Sequence, residues 1–269
     1  MFKKKEKNIP SSLPDLEKLK KFGFERFGNF NEEDVFIMGY PKSGNTLLQH
    51  IIAHLMYGLR SDIPKSIVNS CVTEYYNNPM FFRYDSRHFF KGHELPNERF
   101  KNVIYILRDG RAAVRSYYYM MSNLKHEVAL NTLYENGGEC FVGTWNNHLK
   151  SWTENKYGTN ILFIKYEDLL TNKKKELKRI CEFLSINRTE LELEKVIGAT
   201  SFENMKIMEQ GYSWQKAKSY RTWNDTGNFV REGKSDGYKN DTTVNNESLE
   251  KFIDLSREML EKYQYLDQS

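Results

Sequence analysis

Lysine, serine, glycine and threonine crowd the stretch "YPKSGNT" (residues 40–46), which follows the apolar run "VFIMG" and leads straight into a helical period. Such a turn aims unpaired backbone N–H groups and the positive end of a helix dipole at one point, the makings of an anion site. Gly44 lets the backbone approach a ligand, Ser43 and Thr46 add hydroxyl donors, and Lys42 adds a formal charge. The alternative is a plain strand-to-helix connection; the density of donors beside a lysine argues for the anion site. An ATP-type phosphate loop would place its lysine after the last glycine and a hydroxyl on magnesium. Here Asn45 and Thr46 follow Gly44, and the next apolar run, "NVIYIL", ends on Arg108 where a metal-holding carboxylate would be needed. Two cationic clusters without a metal carboxylate suit a ligand with two separated anionic groups.

The elements that must position these residues are legible as apolar runs of strand length alternating with helical periods. "VFIMG" (35–39), "NVIYILR" (102–108) and "NILFIKY" (160–166) read as buried strands. Leu47, Leu48, Ile51, Ile52, Leu55, Met56 and Leu59 repeat at helical spacing, and helices are expected over 109–121, 173–184 and 246–264. This alternation predicts an α/β fold, one domain with a central parallel sheet covered by helices on both faces. "HFFKGH" (88–93) reads as a shorter extended piece ending at a sheet edge or loop, with His93 at its tip. Residues 1–31 read as a basic leader with an irregular lead-in and 32–269 as the domain; 205–245 has no clear period.

Charge and cysteine content narrow the function classes. Forty basic against 36 acidic residues give a net charge of +4, too mild for a nucleic-acid binder with a concentrated basic face. Cys71, Cys140 and Cys181 are widely spaced, so neither a disulfide framework nor a zinc site is expected, and a reducing cytoplasmic setting fits. No apolar core follows the basic start, and no stretch approaches a membrane span, so neither a signal peptide nor an anchor is expected.

Several ordered motifs carry a family resemblance. "YPKSGNT" resembles the 5′-phosphosulfate loop of the cytosolic-type sulfotransferases, whose donor is 3′-phosphoadenosine 5′-phosphosulfate (PAPS) and whose product is adenosine 3′,5′-bisphosphate (PAP). "KNVIYILRDGRAAVRSYY" is similar to the family's 3′-phosphate segment, which implies that Arg108 and Ser116 bind that phosphate. "KYEDLL" and "TSFENMK" resemble the adenine-contacting segments, implying roles for Tyr166, Thr200 and Phe202. "VREGKSDGYKN" resembles the C-terminal signature, implying that Arg231 and Gly233 also reach the 3′-phosphate. Loop residues Lys42, Ser43, Gly44, Asn45, Thr46 and Leu47 would hold the 5′ end; Leu47 stands where many relatives have tryptophan, and Glu232 where they have lysine. The resemblance implies a P-loop-like, nucleotide-kinase-like sulfotransferase fold and a co-substrate that needs no metal.

Sulfuryl transfer to an alcohol or amine needs a base of near-neutral pKa, which points to histidine. His93, in "KGHELP", matches the family's Lys-x-His-Leu-Pro context with Glu94 inserted. Lys42 would offset charge on the leaving phosphate. The resemblance implies that Ser116 can also interact with this lysine and restrain hydrolysis. Lys91 is placed to assist the sulfuryl oxygens, the alternative being a surface lysine. His50 and His54 lie four apart on the polar side of their helix and are expected to face solvent; His88, His126 and His148 have no constellation around them. The aromatic stretches 75–90 and 212–229 are the candidate acceptor walls, the alternative being that these rings are core, with Arg83, Arg87, Lys216 and Lys218 admitting anionic or saccharide acceptors. "KNDTTV" (239–244) resembles the family's dimerisation segment, which implies a homodimer. A magnesium-dependent metabolite kinase and a nucleotide-binding protein without turnover are the rival readings.

Overall fold

The structure, a computed structural model, describes residues 19–74, 80–210 and 237–266. Along the chain run β1 (Phe24–Arg26), β2 (Val35–Met38), α1 (Asn45–Tyr57), α2 (Lys65–Cys71), β3 (Val72–Glu74), β4 (Met80–Phe82), β5 (Phe89–Lys91) and β6 (Asn102–Leu107). Then follow α3 (Gly110–Asn123), α4 (Leu130–Glu135), α5 (Trp145–Glu154), β7 (Asn160–Lys165), α6 (Tyr166–Thr171), α7 (Lys173–Phe183), α8 (Glu190–Ala199), α9 (Phe202–Gln210), a 3₁₀ turn (Gly237–Asn240) and α10 (Asn246–Lys262).

Five strands form a parallel sheet in the order β3-β5-β2-β6-β7. The apolar runs are continuous because both faces are covered. In β2, Val35 and Ile37 point into a core shared with Leu48, Ile51 and Ile52 of α1, Leu177 of α7 and Leu193 of α8. Phe36 and Met38 point the other way, against Val114 of α3, Trp145 and Trp152 of α5 and Phe252 of α10. Chain connections diverge on either side of β2, toward β3 and β5 and later toward β6 and β7. The crevice at the carboxyl ends of β5, β2 and β6 is therefore the topological switch point, where open α/β sheets bind ligands.

The extended piece at 88–93 is β5, paired with β2 on one side and β3 on the other, with His93 in the loop beyond its end. Two sequence expectations need correction. The irregular lead-in contains β1, which pairs antiparallel with β4 through Phe24–Phe82 and Arg26–Met80. His50 and His54 do not face solvent, being 2 % and 3 % exposed. Their helix is enclosed by β2, β3, α2 and α8, so its nominally polar side is interior too. Among the described residues no group of three or more His, Cys, Asp or Glu is placed to hold a metal.

The stretch 75–90, described from Met80 onward, serves mainly as structure. Phe81, Phe89 and Phe90 are core residues, with Phe90 stacked on Phe36. Arg83 is held by buried Asp34 and by Glu25, both at 2.8 Å, and Arg87 donates to the Leu184 carbonyl at 2.7 Å. Arg83 is thus engaged by two carboxylates, and Arg87 by one main-chain carbonyl at the end of α7. The "KNDTTV" segment is tied inside its own chain, Asp241 accepting from Arg115 and Tyr119 of α3.

Candidate active site

The anion loop leaves β2 at Gly39, where close approach to β6 demands glycine: a Cβ there would lie 2.4 Å from the Ile106 carbonyl oxygen. The turn then passes through left-handed backbone at Lys42 (φ 68°) and Gly44 (φ 107°) before α1 begins. Arg108, at the end of β6, donates to the Lys42 carbonyl at 3.1 Å and so holds the strained turn. Its guanidinium also lies 4.5 Å from the centroid of the Tyr166 ring. Tyr166 in turn packs on the loop, and a Cβ on Gly44 would sit 2.6 Å from its Cδ2. Gly44→Ala is therefore expected to destabilise the chain by about 1–3 kcal/mol and to displace Tyr166. The check is the thermal midpoint together with the anion affinity; a variant equal to wild type in both would show that the loop does not depend on this glycine.

No side chain caps α1, and the Ser43 hydroxyl and the Asn45 side-chain Oδ1 are buried without a hydrogen-bond partner among the described residues. Buried polar groups are normally satisfied, so the cradle has donors and acceptors matched to something beyond the chain itself. Its donors, its lysine and its uncapped helix end fit an anionic phosphosulfate.

His93 lies just past β5, beside this loop. The Gly92 N–H donates to Ile37 O at 2.9 Å, which extends the ladder to the residue before His93. Inserted Glu94 thus falls beyond the last fixed pairing. The His93 Nδ1 sits 2.7 Å from Gly39 O and 3.3 Å from Asn45 Nδ2. A carbonyl only accepts, so Nδ1 carries the proton and Nε2 the lone pair. Burial holds the imidazole well below its ordinary pKa, at about 3, with the Gly39 hydrogen bond working weakly the other way. The ring is neutral at pH 7, the form a base requires, but burial sets it below the near-neutral pKa that the sequence reading expected of that base.

Helix α5 fixes the segment carrying His93 by its main chain. His148 donates from Nε2 to His93 O at 2.9 Å, and its Nδ1 accepts from the Tyr105 hydroxyl at 2.8 Å. One turn later Trp152 donates to Glu94 O at 3.1 Å. These residues were invisible in the sequence as site components, although "HLKSW" does place both on one helix face. Exposed Phe141 lies edge-on to the His93 ring, with centroids 6.1 Å apart.

Lys91 is not a surface lysine; it is 8 % exposed and donates to Glu74, Gln49 and Thr46. Gly39, Lys42, Gly44, Asn45, Thr46, Lys91, His93, Arg108 and Tyr166 are thus joined by direct contacts. Ser116 is half-buried on α3 and Leu47 packs on the core beneath the loop. Thr200 is buried at the end of α8, its hydroxyl bonded to Val196 O and its carbonyl to Lys173, and half-buried Phe202 opens α9. Arg231, Gly233 and the aromatic stretch 212–229 lie outside the described residues.

A family model described as "Sulfotransferase domain" matches residues 32–264. The chain belongs to the sulfotransferase family. This sulfotransferase chain is 28% identical over 276 residues to the rabbit (Oryctolagus cuniculus) protein called amine sulfotransferase, covering 95% of this chain and 89% of that one. With mouse (Mus musculus) sulfotransferase 2B1 it shares 30% identity over 82% of its own length and 70% of the relative's. Among solved structures it resembles mouse sulfotransferase SULT7A1 complexed with PAP, at a TM-score of 0.63 and 24% identity, with 88% and 86% of the two chains covered. It also resembles retinol dehydratase in complex with retinol and PAP, at 0.69 and 18%, with 89% and 84% covered. These structural likenesses establish the α/β sulfotransferase fold. No helix of the described residues is long and apolar enough to cross a membrane.

Proposed function

We propose that this sulfotransferase moves the sulfuryl group of PAPS to a hydroxyl or amine acceptor, with His93 as the general base. The observation that carries the reading is the Nδ1 hydrogen bond to Gly39, the first residue of the anion loop. It directs the basic Nε2 while tying the base to the cradle that would hold the donor. Lys42, Ser43, Gly44, Asn45, Thr46 and Leu47 would hold the 5′ end. Arg108 and Ser116, with Arg231 and Gly233, would hold the 3′-phosphate, and Tyr166, Thr200 and Phe202 the adenine. His93 takes the acceptor proton on Nε2 as the acceptor oxygen or nitrogen bonds to sulfur. The S–O bond to the 5′-phosphate breaks with its electron pair left on that phosphate, whose charge Lys42 and the helix end offset.

Family membership supports the reaction type, and PAP in the solved relatives supports the donor. A small apolar alcohol fits exposed Phe141 beside the base and the retinol bound by retinol dehydratase; an amine fits the rabbit relative. We place the enzyme in the cytoplasm.

Calorimetric titration with PAP, with and without magnesium, tests the donor; acceptor-dependent PAPS consumption tests turnover. Binding independent of magnesium and turnover with a phenol, sterol or amine are expected. Magnesium-dependent ATP turnover would restore the kinase reading, and PAP binding without turnover across an acceptor library would leave only a nucleotide binder. Arg108→Ala is expected to weaken PAP by at least about tenfold, the size of a lost charge-assisted contact. Unchanged PAP affinity would remove Arg108 from the phosphate site.

A further inference from the structure

We propose that Glu74 is a positioning residue for Lys91, fixing its ammonium against the anion loop so that it meets the transferring sulfuryl group without reorientation. This deepens, and rests on, the donor assignment above. Glu74 closes β3 directly opposite Lys91 in the parallel ladder, and their side chains meet at 2.8 Å, 22 % and 10 % exposed. An ammonium has three N–H donors. Those of Lys91 go to Glu74 Oε1 at 2.8 Å, Gln49 Oε1 at 3.2 Å and Thr46 Oγ1 at 3.4 Å. The short, charged bond is to Glu74 on β3, and the long one is to Thr46 in the first turn of α1, where the loop ends.

That asymmetry has a mechanistic meaning. A lysine side chain has many rotamers, and fixing them carries an entropy penalty that a partly buried ion pair offsets before any substrate arrives. The weak Thr46 contact is the one most readily exchanged for a sulfuryl oxygen. Lys65 on α2 reinforces the need for Glu74. Burial and then the charge of Lys91 lower the Lys65 ammonium to about 8, while Glu74 acts in the opposite direction. Without the carboxylate, two neighbouring cations would face one another and Lys91 would lose its anchor.

A double-mutant cycle separates positioning from mere packing. In wild type, Glu74→Ala is expected to lower kcat by about tenfold while the KM for PAPS and the Kd for PAP stay within about twofold. In a Lys91→Ala background the same change should alter kcat by less than about twofold, because its target is gone. Glu74→Gln, which keeps an oxygen at the same reach but not the charge that faces Lys91 and Lys65, should recover only part of the rate. Glu74→Asp, charged but one methylene shorter, should fall between, and it replaces alanine in the cycle if that variant does not fold. Equal losses in both backgrounds, or a lowered thermal midpoint with unchanged kcat, would overturn the proposal while leaving the sulfotransferase reading intact. A wild-type chain that binds neither PAP nor PAPS would overturn both.

Discussion

His93→Ala is expected to lower kcat for sulfuryl transfer by about 10²–10⁴-fold, the usual contribution of a positioned general base. PAP affinity should remain within about twofold of wild type, because the proposal gives His93 the acceptor proton and leaves donor binding to the loop. His93→Asn provides the control for structure. Its amide can donate to Gly39 O as Nδ1 now does, yet it has no basic nitrogen. Equal losses in the two variants, with PAP binding retained, assign the effect to the missing lone pair. The pH profile adds a second test. A neutral imidazole working above its pKa predicts no loss of kcat/KM between pH 8 and 6 from protonation of this group in the free enzyme. Turnover by His93→Ala at the wild-type rate would show that another group takes the proton.

Acid should unfold the chain well before most carboxylates are protonated. His50, His88 and His148 are essentially inaccessible, and burial, the leading cause at each, lowers their pKa values to about 3, 4 and 4. A group whose folded pKa is depressed is neutral in the native state while the unfolded chain takes up its proton. Stability is therefore complete above the unfolded pKa, near 6.5, and is lost as pH falls toward the folded values. At pH 5 each histidine would remove about 2 kcal/mol, together a large part of the ~5–15 kcal/mol typical of a whole domain. The thermal midpoint should drop by about 10–20 °C between pH 7 and pH 5, and the fall should be shallower in His88→Asn, which removes one titrating ring. A flat profile over that range would mean that these rings can be protonated in place.

These two predictions draw unequally on the sequence. The loop, Arg108 and His93 were legible because each is a local pattern: donors beside glycine, a cation closing an apolar run, a histidine ending an extended piece. Strands β2, β6 and β7 were legible because runs buried on both faces are continuously apolar. The histidines of α1 were misread, since apolar spacing marks one face and says nothing of what covers the other; here α2, α8 and the sheet close around it. β3 and β5 have three residues each, too few to show a period, and so the Glu74–Lys91 pair across them could not be foreseen. The grip of His148 and Trp152 on the base segment was hidden for another reason. Their acceptors are main-chain carbonyls, which every residue possesses, so no residue type at 93 or 94 records the contact.

The pairing of β5 with β2 has one more consequence. His93 and the anion loop grow from adjacent strands of one hydrogen-bonded framework, so their separation is inherited from strand spacing. Exchanging the rim around Phe141 should alter which molecules are admitted while the machinery beneath keeps its dimensions. Diversification of taste and conservation of chemistry can then proceed in the same scaffold without interfering.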